Sequence, residues 1–405
     1  MSDLIIFTYN FPFGDGETFL EAEVKFLSKS FGTVHIFPLF YGNSRQARKL
    51  PQNITHSEPF IRLNSLKAKG KLSFYGLFNL SPFFSFFKDF FQKRVYKNIE
   101  HLKGWGAEFC ITRLLLKKRK TIFEKINSNT IIYFYWGDKS TGIIPFLRDR
   151  LLNPIVVRFH GSDLYEEVKA DYIPFREKLL RNLTTAVFIS GNGEQYLLNK
   201  YRGIEFDHRL FRLGVNNFGT SLQSNDNVFR IVSCSNIVPV KRLNLIIDTL
   251  FCLNIEIEWT HLGGGPLLED LQQKSKKLKS NIKSIFLGQI NNEDVIQFYL
   301  NNRVDLFLNV SESEGVPVSI MEAISMGIPV IATDVGGTSE IVNNTFGRLI
   351  PKNFDVKQLA QMIKTYSTKS VIEKQKMRKS ARDFWFNNYN SEINYKKFAD
   401  FLANY

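Results

Sequence analysis

Cysteine is scarce in this sequence, and long apolar runs are missing. Three cysteines, Cys110, Cys234 and Cys252, stand among 405 residues. They form neither a paired framework nor a C-x-x-C motif, which indicates a reducing compartment rather than a disulfide scaffold. No uninterrupted apolar stretch reaches the ~18 residues that a membrane-spanning helix needs. The sequence therefore predicts a chain that does not cross a membrane.

The start of the chain also lacks the pattern of a secretory signal. Asp3 stands where a basic segment would be expected, and Pro12, Gly14 and Gly16 interrupt the apolar run too early. A signal peptide needs a basic beginning followed by an uninterrupted apolar core. We therefore expect a cytoplasmic protein.

Several binding motifs are absent as well. The sequence contains no G-x-x-x-x-G-K-[ST], and Gly263-Gly264-Gly265-Pro266 misses the dinucleotide fingerprint because Leu268 occupies the third glycine position. No H-E-x-x-H or H-x-x-H motif gathers metal ligands. These absences disfavour a P-loop NTPase and a nicotinamide enzyme. The sequence predicts neither a bound metal nor a cofactor.

The composition is that of a soluble globular protein. Hydrophobic residues make up 44% of the chain and charged residues 23%, both ordinary values, which excludes intrinsic disorder as the main state. At roughly 100–200 residues per domain, the length predicts two domains or three.

Positive charge is concentrated in one stretch of the N-terminal half. The chain carries 53 basic and 39 acidic side chains, a net charge of +14. Residues 60–125 hold 15 of the basic and 4 of the acidic side chains, a net +11, together with 14 aromatic residues. A local excess of this size predicts an anionic surface as a partner.

Short apolar strands alternate with amphipathic helices in two series. The second series includes a predicted strand over residues 304–310, a helix over 317–326 and a strand over 329–333. This alternation is typical of an α/β fold with parallel, doubly wound sheets. We predict a first domain over residues 1–215 and a second over 221–384, facing each other across a cleft, with the polar segment 216–227 as the linker. The apolar content of residues 385–405 predicts a C-terminal helix that packs back on the first domain.

The most specific motif is Ser311-Glu312-Ser313-Glu314-Gly315-Val316-Pro317-Val318-Ser319-Ile320-Met321-Glu322-Ala323. It follows a predicted strand, at the sheet edge where open α/β sheets bind ligands. Gly315 suits a tight turn and Pro317 the first position of a helix. The amides of Val318 and Ser319 are then placed to hold an anionic oxygen.

Glu314 and Glu322 flank the predicted start of this helix, with seven residues between them. Carboxylates beside a phosphate site are repulsive unless they bind hydroxyl groups, as on a sugar or a ribose. The alternative is a capped helix with two solvated acids. Another predicted strand ends at Cys234, and Lys241 and Arg242 follow it just before a predicted helix. Cations at the start of a helix are unfavourable for its dipole. Their presence there favours a role in binding a diphosphate.

Two loops of the first half follow predicted strands. The glycine-bearing loop with Gly14, Gly16 and Glu17 can approach a ligand closely. The second loop carries His160 and Asp163. The alternatives are a simple turn for the first loop and a structural histidine in the second.

Together these motifs resemble those of the family 4 glycosyltransferases, whose GT-B fold consists of two facing Rossmann-like domains. The match rests on the Glu314-to-Glu322 element with the following Gly327–Thr333 run, on Lys241, and on the His-Gly-x-Asp of residues 160–163. The family usually has an arginine in the loop where Asn236 stands. The overall look is that of bacterial surface-polysaccharide enzymes.

The resemblance implies retaining transfer of a sugar from a nucleotide-diphosphate sugar to a glycan acceptor, without a metal. It implies that Glu314, His160 and Lys241 are catalytic. The implied donor site comprises Gly16, Lys241, Arg242, Gly264, Glu314, Gly315, Val316, Pro317, Val318, Ser319 and Glu322. The implied acceptor site comprises Gly14, Glu17 and Asp163.

The basic, aromatic segment 60–125 predicts where such an enzyme works. Runs such as Leu72–Phe78 and Phe83–Phe91, followed by Lys93, Arg94 and Lys97, suit the headgroup region of an anionic membrane. We expect peripheral binding to the inner face of the cell membrane and a polyprenyl-linked acceptor. The alternative is that these phenylalanines form core.

The sequence gives weaker support to functions of other classes. Net charge and interleaved aromatics are also the footprint of a nucleic-acid-binding protein, but no helix-turn-helix, RRM or zinc motif is present, so we expect no nucleic acid partner. A nucleotide-sugar epimerase lacks its dinucleotide fingerprint here, and a phosphorylase lacks a recognisable pyridoxal lysine motif.

Overall fold

The computed structural model describes residues 1–61, 84–224 and 226–405. The chain divides into two compact units. The first unit comprises residues 1–213 and 393–405, and the second comprises residues 214–392. Each unit is built on its own parallel β-sheet.

The first unit contains a seven-stranded sheet in the order β3-β2-β1-β4-β5-β6-β7, with every pair parallel. Its strands are β1 (Asp3–Thr8), β2 (Val34–Pro38), β3 (Ile54–His56), β4 (Thr130–Phe134), β5 (Ile155–Phe159), β6 (Thr185–Phe188) and β7 (Asp207–Leu210). Its helices up to residue 213 are α1 (Thr18–Ser30), α2 (Phe84–Gln92), α3 (Ile99–Lys117), α4 (Arg119–Phe123), α5 (Ile144–Arg148), α6 (Arg176–Asn182) and α7 (Gly191–Lys200).

The second unit contains a six-stranded parallel sheet in the order β10-β9-β8-β11-β12-β13. Its strands are β8 (Phe229–Cys234), β9 (Ile257–Leu262), β10 (Ile282–Phe286), β11 (Leu306–Asn309), β12 (Val330–Thr333) and β13 (Gly347–Ile350). Its helices are α8 (Leu243–Phe251), α9 (Leu268–Ser275), α10 (Asn292–Asn301), α11 (Val318–Ser325), α12 (Val356–Ser367) and α13 (Val371–Asn388), and the last helix of the chain is α14 (Ser391–Ala403).

The central strands are buried on both faces, which is why they appear in the sequence as nearly continuous apolar runs. In β1, Ile5 and Phe7 pack in one core with Phe134. The alternate residues Leu4 and Ile6 pack in the opposite core against helix α1. Successive side chains of a strand point to opposite faces, so one strand supplies both cores.

Helix α14 completes the core of the first unit. Phe398 and Leu402 are fully buried there, in the cluster that also contains Leu4 and Ile6. We predicted this packing to begin at about residue 385, and that start is too early. Trp385 and Tyr389 lie in the core of the second unit, and the first unit resumes at residue 393.

Beneath helix α14 lies a buried ion pair. The Arg158 guanidinium donates a hydrogen bond to Glu23, and their side chains are 1% and 0% exposed. The Tyr133 hydroxyl donates to the other carboxylate oxygen of Glu23 at 3.2 Å. The guanidinium also lies 4.0 Å from the ring centroid of Phe398, so one side chain links strand β5, helix α1 and helix α14.

The predicted linker 216–227 is largely fixed to the second unit. The Arg382 guanidinium donates to the carbonyl oxygens of Gly219 and Ser325, and Arg378 donates to those of Ser221 and Val304. These bonds satisfy backbone groups that a free linker would leave to water. The second unit accordingly begins at residue 214 and not at 221.

Within the residues that the structure describes, no helix is long and apolar enough to span a membrane.

Candidate active site

The centre of the candidate site in the second unit is an ion pair. Lys241 Nζ donates to Glu314 Oε1 at 2.7 Å, and the two side chains are 23% and 10% exposed. Lys241 ends a short 3₁₀ turn after strand β8, and Glu314 lies in the loop after strand β11. Strands β8 and β11 are adjacent and parallel, so their carboxyl ends bring the two loops together.

Asn309 fixes the carboxylate of Glu314 from below. Its Nδ2 donates to Glu314 Oε1 at 3.1 Å, while its Oδ1 accepts from the amide of Ser311 at 3.0 Å. Lys241 and Asn309 therefore bind the same oxygen of Glu314. Among the described residues, no hydrogen bond reaches the Oε2 atom of Glu314.

Arg242 does not join Lys241. Its Nε donates to the carbonyl oxygen of Val310 at 2.8 Å and its Nη2 to that of Ser311 at 3.2 Å. Arg242 also adopts a left-handed conformation with φ 49° at the start of helix α8. Its guanidinium holds the loop after β11 in place, and its contact with a diphosphate stays a prediction.

Glu322 is the second acid of the motif, and it lies on the buried side of helix α11. It is 6% exposed, and burial raises its pKa to about 7 although the hydrogen bond from Asn292 opposes this. Asn292 Nδ2 donates to Glu322 Oε1 at 2.6 Å. This acid is thus poised between its charged and neutral forms near neutral pH.

Helix α11 begins at Val318, where we predicted an anion site. Pro317 is its N-cap, and no side chain caps the helix. The first amides of a helix have no partner within it, so those of Val318 and Ser319 point out of the helix end, where its dipole is positive. Val316 precedes them in the same loop.

Glycines allow the loops of this site to pack closely. A Cβ atom on Gly336 would lie 1.8 Å from the carbonyl oxygen of Glu314, and Gly336 has φ +54°. The Gly337 amide donates to the Gly315 carbonyl at 2.7 Å. Gly264 has a similar role, because its Cβ would lie 2.9 Å from the amide nitrogen of Gln289.

In the first unit, Glu17 fastens the glycine-bearing loop. Its carboxylate accepts from the amides of Tyr9, Asn10 and Phe11 at 2.7–2.9 Å, and from Trp136 Nε1 at 2.6 Å. Burial nevertheless raises the pKa of Glu17. With four donors on its two oxygens, Glu17 holds this loop together, and its contact with an acceptor stays a prediction.

Gly14 and Gly16 are held by Arg48. Its Nε donates to the Gly14 carbonyl at 2.8 Å and its Nη2 to the Gly16 carbonyl at 2.6 Å. Gly14 has φ +67°, and a Cβ there would lie 2.8 Å from the Cα of Gly42. Gly16 is exposed, and a Cβ there would have Asn10 Oδ1 as its neighbour at 3.8 Å.

His160 lies beside Trp136 and Asp163. Its ring centroid is 4.3 Å from that of Trp136, and Nδ1 is 3.7 Å from Asp163 Oδ2. The residue is 8% exposed, and neither ring nitrogen has a hydrogen-bond partner among the described residues. Trp136, whose ring lies beside that of His160, also donates a hydrogen bond to Glu17. His160 therefore lies next to the loop that Glu17 holds.

Asp163 is an organising residue of its loop. It accepts from the amide of His160 at 2.8 Å and from that of Gly137 at 2.6 Å. Burial opposes the ionisation of Asp163, but the neighbouring His160 ring, the Gly137 amide and Arg176 outweigh burial and lower the pKa. Its oxygens hold the backbone at residues 137 and 160, and its contact with an acceptor stays a prediction.

Two further buried acids in this unit were not predicted from the sequence. Burial and the charge of Asp163 raise the pKa of Asp138 to about 6. Burial raises that of Glu108, on helix α3, to about 7. Lys139 is the nearest cation to both. The signal was weak because Glu108 lies in a segment without a clear apolar period.

Comparisons with known proteins match both the sequence and the fold. The family model described as glycosyl transferases group 1 matches residues 217–384. Protein CapJ of Staphylococcus aureus is 28% identical over 231 residues, 54% of this chain and 56% of CapJ. The O-antigen biosynthesis glycosyltransferase WbnH of Escherichia coli is 40% identical over 95 residues, 23% of this chain and 25% of WbnH. The chain therefore spans about half of the former relative and a quarter of the latter.

Solved structures resemble the whole chain. Sucrose-phosphate synthase from Thermosynechococcus elongatus superposes with a TM-score of 0.71 at 14% identity, covering 99% of this chain and 98% of that one. Anabaena HepE in complex with UDP and glucose superposes with a TM-score of 0.62 at 16% identity, covering 100% of both. At these identities the likeness concerns the fold alone. That fold is the GT-B fold, as we predicted from the sequence.

Proposed function

We propose that the protein moves a sugar from a nucleotide-diphosphate sugar to a glycan acceptor, because residues 217–384 match the family model described as glycosyl transferases group 1. The process would be the assembly of a bacterial surface polysaccharide, as the name of the relative WbnH suggests for that protein. Because the HepE structure is a complex with UDP, UDP is the first nucleotide to test.

The observation that carries this proposal is the Lys241–Glu314 pair in front of the uncapped helix α11. Departure of a nucleotide diphosphate places negative charge on its oxygens. A fixed ammonium group and the amides of Val318 and Ser319 stabilise that charge without reorganisation, which is usually the largest contribution to catalysis. Glu314 holds Lys241 in position, and its Oε2 is available to a donor-sugar hydroxyl.

We propose that transfer retains the anomeric configuration. The acceptor hydroxyl would attack the anomeric carbon on the same face from which the leaving group departs. The departing phosphate would take the proton of that hydroxyl. Hydrolytic glycosidases need two carboxyl groups flanking the bond. In the second unit, Glu314 and Glu322 are instead engaged by Lys241 and Asn292, which suits hydroxyl binding better than acid–base work.

The first experiment measures kcat/KM for a UDP-sugar panel with Lys241→Ala and Glu322→Ala. We propose that Lys241 contacts the diphosphate and that Glu322 contacts the ribose hydroxyls. Loss of either contact should cost about 2–4 kcal/mol, hence roughly 30-fold to 1000-fold in kcat/KM. Lys352→Ala is the matched control, because Lys352 forms an exposed pair with Glu312 at 3.1 Å in the same unit. Near-normal turnover of both site variants, with the folded state retained, would contradict the assignment.

Two further measurements test the chemistry. NMR of the product should show the same anomeric configuration as the donor, and inversion would contradict the retaining mechanism. Activity should persist in EDTA, because Lys241 and the helix amides supply the positive charge. A loss in EDTA that added Mg²⁺ or Mn²⁺ reverses would contradict the proposed independence from metal.

We also propose that the enzyme binds the inner face of the membrane, where it meets a lipid-linked acceptor. Helix α2 and the start of helix α3 carry exposed apolar residues among basic ones. Phe91, Tyr96, Ile99 and Leu102 are 64%, 53%, 63% and 40% exposed. Lys88, Lys93, Arg94 and Lys97 are exposed on the same segment. Rings and aliphatic side chains beside cations suit the headgroup region.

Part of this segment is core. Phe87 and Phe90 pack partly buried against the cluster of Trp105 and Phe109, and Tyr172 anchors Asp89 by a hydrogen bond. The helix thus has one face on the first unit and one outside it. The predicted run Leu72–Phe78 and residue Phe83 lie outside the described residues.

Vesicle sedimentation tests the membrane proposal. Binding to phosphatidylglycerol vesicles should weaken with salt and fall when Lys93, Arg94 and Lys97 become Glu. The matched control reverses Lys276, Lys277 and Lys357, which are equally exposed on the second unit. Equal sedimentation with neutral and anionic vesicles would contradict the proposal, and salt-dependent binding to DNA or RNA alone would favour a nucleic-acid partner.

A further inference from the structure

Glu322 is enclosed by three neighbours that the motif does not contain. Asn292 and Tyr299 come from helix α10, and Cys234 comes from the end of strand β8. Tyr299 is fully buried and its hydroxyl has no hydrogen-bond partner among the described residues. The wall around this carboxyl is therefore mostly apolar or neutral, and Asn292 is its hydrogen-bond donor.

The geometry points to Asn292 as a positioning residue for donor binding: its amide, 2.6 Å from Glu322 Oε1, orients the carboxylate so that Oε2 accepts the ribose hydroxyls of the nucleotide. This inference rests on the proposed function, in which Glu322 contacts the ribose. It adds a residue 30 positions away in the sequence that acts through Glu322.

Asn292 is held on a rigid element. It is the first residue of helix α10. Asn291 caps this helix, because its Oδ1 accepts a hydrogen bond from the Asp294 amide at 2.8 Å. Val295 and Ile296 of the same helix are buried in the core of the second unit. The backbone that carries Asn292 is therefore fixed, and the bond from its side-chain amide favours the orientation of the Glu322 carboxylate seen here.

The bond also favours the charged form of Glu322. The titratable groups that face it are the Cys234 thiol and the Tyr299 hydroxyl, both of which burial keeps neutral by raising their pKa, that of Cys234 to about 12. The charge of Lys241 opposes the effect of burial on the Cys234 thiol. Because the bond from Asn292 lowers a pKa that burial raises to about 7, its removal should raise that pKa further.

Removal of the Asn292 donor should make nucleotide binding depend on pH in a defined direction. A protonated carboxyl offers fewer acceptor sites to two ribose hydroxyls than a carboxylate does. Without the Asn292 donor, more Glu322 is protonated at pH 7, so nucleotide binding should weaken there and recover at higher pH. A residue with a purely structural role would give a loss that does not change with pH.

The experiment measures the Kd of UDP, and of GDP in parallel, by calorimetry at pH 7 and pH 9. Asn292→Leu, which keeps the size and removes the donor, should weaken binding about tenfold at pH 7 and clearly less at pH 9. Asn292→Gln, which restores a donor on a longer side chain, should recover part of the loss. Asn301→Leu, an exposed position at the other end of the helix, is the control.

A double-mutant cycle separates action through Glu322 from direct contact. In a Glu322→Gln background, Asn292→Leu should change the Kd less than about twofold, since coupled residues are non-additive. An equal loss in both backgrounds, or a loss that is the same at pH 7 and pH 9, would overturn the inference. Normal binding by Asn292→Leu would overturn it too while leaving the proposed function intact. A wild-type protein that binds neither nucleotide would overturn both.

Discussion

Substituting one partner of the buried Arg158–Glu23 pair should destabilise the first unit far more than substituting both. Arg158→Met keeps an apolar stem in the space that Arg158 occupies, beside the rings of Tyr133 and Phe398. It leaves Glu23, which is fully buried, with the Tyr133 hydroxyl at 3.2 Å. An uncompensated buried charge of this kind costs about 3–5 kcal/mol.

The comparison with a double variant identifies the cause. Arg158→Met with Glu23→Leu removes both charges, and well-packed apolar replacements of a buried pair are often neutral or stabilising. The double variant should therefore regain most of the loss. If the stability simply falls by the sum of the two single losses, the cost comes from packing and not from charge.

The assay must distinguish the two units, because a chain with two units does not unfold in one two-state step. Hydrogen exchange in urea reports strands β4 and β5 separately from strands β8 and β9. Arg158→Met should lower the protection of β4 and β5 by the amount given above and leave β8 and β9 unchanged. A loss below about 1 kcal/mol, the typical effect of an ordinary substitution, would refute the reasoning.

Three further predictions concern a loop, an acid and a helix cap. Gly336→Ala should reduce kcat/KM and thermal stability together, because its Cβ would lie 1.8 Å from the Glu314 carbonyl oxygen; activity assays with melting curves check this. Burial raises the pKa of Glu108 from 4.5 to about 7. Its protonation therefore contributes stability that is fully present below pH 4.5 and is lost as the pH rises through 7. In Glu108→Gln, the melting temperature should depend less on pH between these values. Ser370→Ala should cost about 1 kcal/mol, because Ser370 forms a capping box with Glu373 at the start of helix α13; denaturant titration measures it, and an unchanged midpoint would contradict the role of the cap.

The sequence predicts the second unit best where buried apolar runs end in glycine or proline. The strand that we predicted over residues 304–310 is observed at Leu306–Asn309. The helix that we predicted over residues 317–326 is observed at Val318–Ser325. The strand predicted at 329–333 is Val330–Thr333. Both strands are buried on two faces, so local pattern and tertiary environment agree.

The missed elements lack such a pattern. Strands β3, β7 and β13 have only three or four residues, and exposed positions interrupt each of them. Helix α3 buries Glu108 and Thr112 beside Trp105 and Ile111, so its buried face mixes polar with apolar residues. Periodicity predicts a helix only from a stripe of one kind, and this helix does not have one.

The site shows the same limit. Motif residues marked Glu314 and Glu322, but nothing in the sequence marks Asn309 and Asn292, which bind their carboxylates. Both asparagines lie in ordinary elements, one in strand β11 and one at the start of helix α10. Only the folded arrangement reveals that an amide is directed at an acid 5 or 30 residues away.

The placement of helix α14 has a consequence for synthesis of the chain. Domains generally fold as units, the N-terminal one first, as they leave the ribosome. Here the second unit is continuous from residue 214 to 392, whereas the first needs residues 393–405. Until Phe398 emerges, the face of Leu4 and Ile6 that it covers stays open. The unit that begins the chain is therefore the last to be completed, and part of its apolar core stays uncovered until the end of the chain is made.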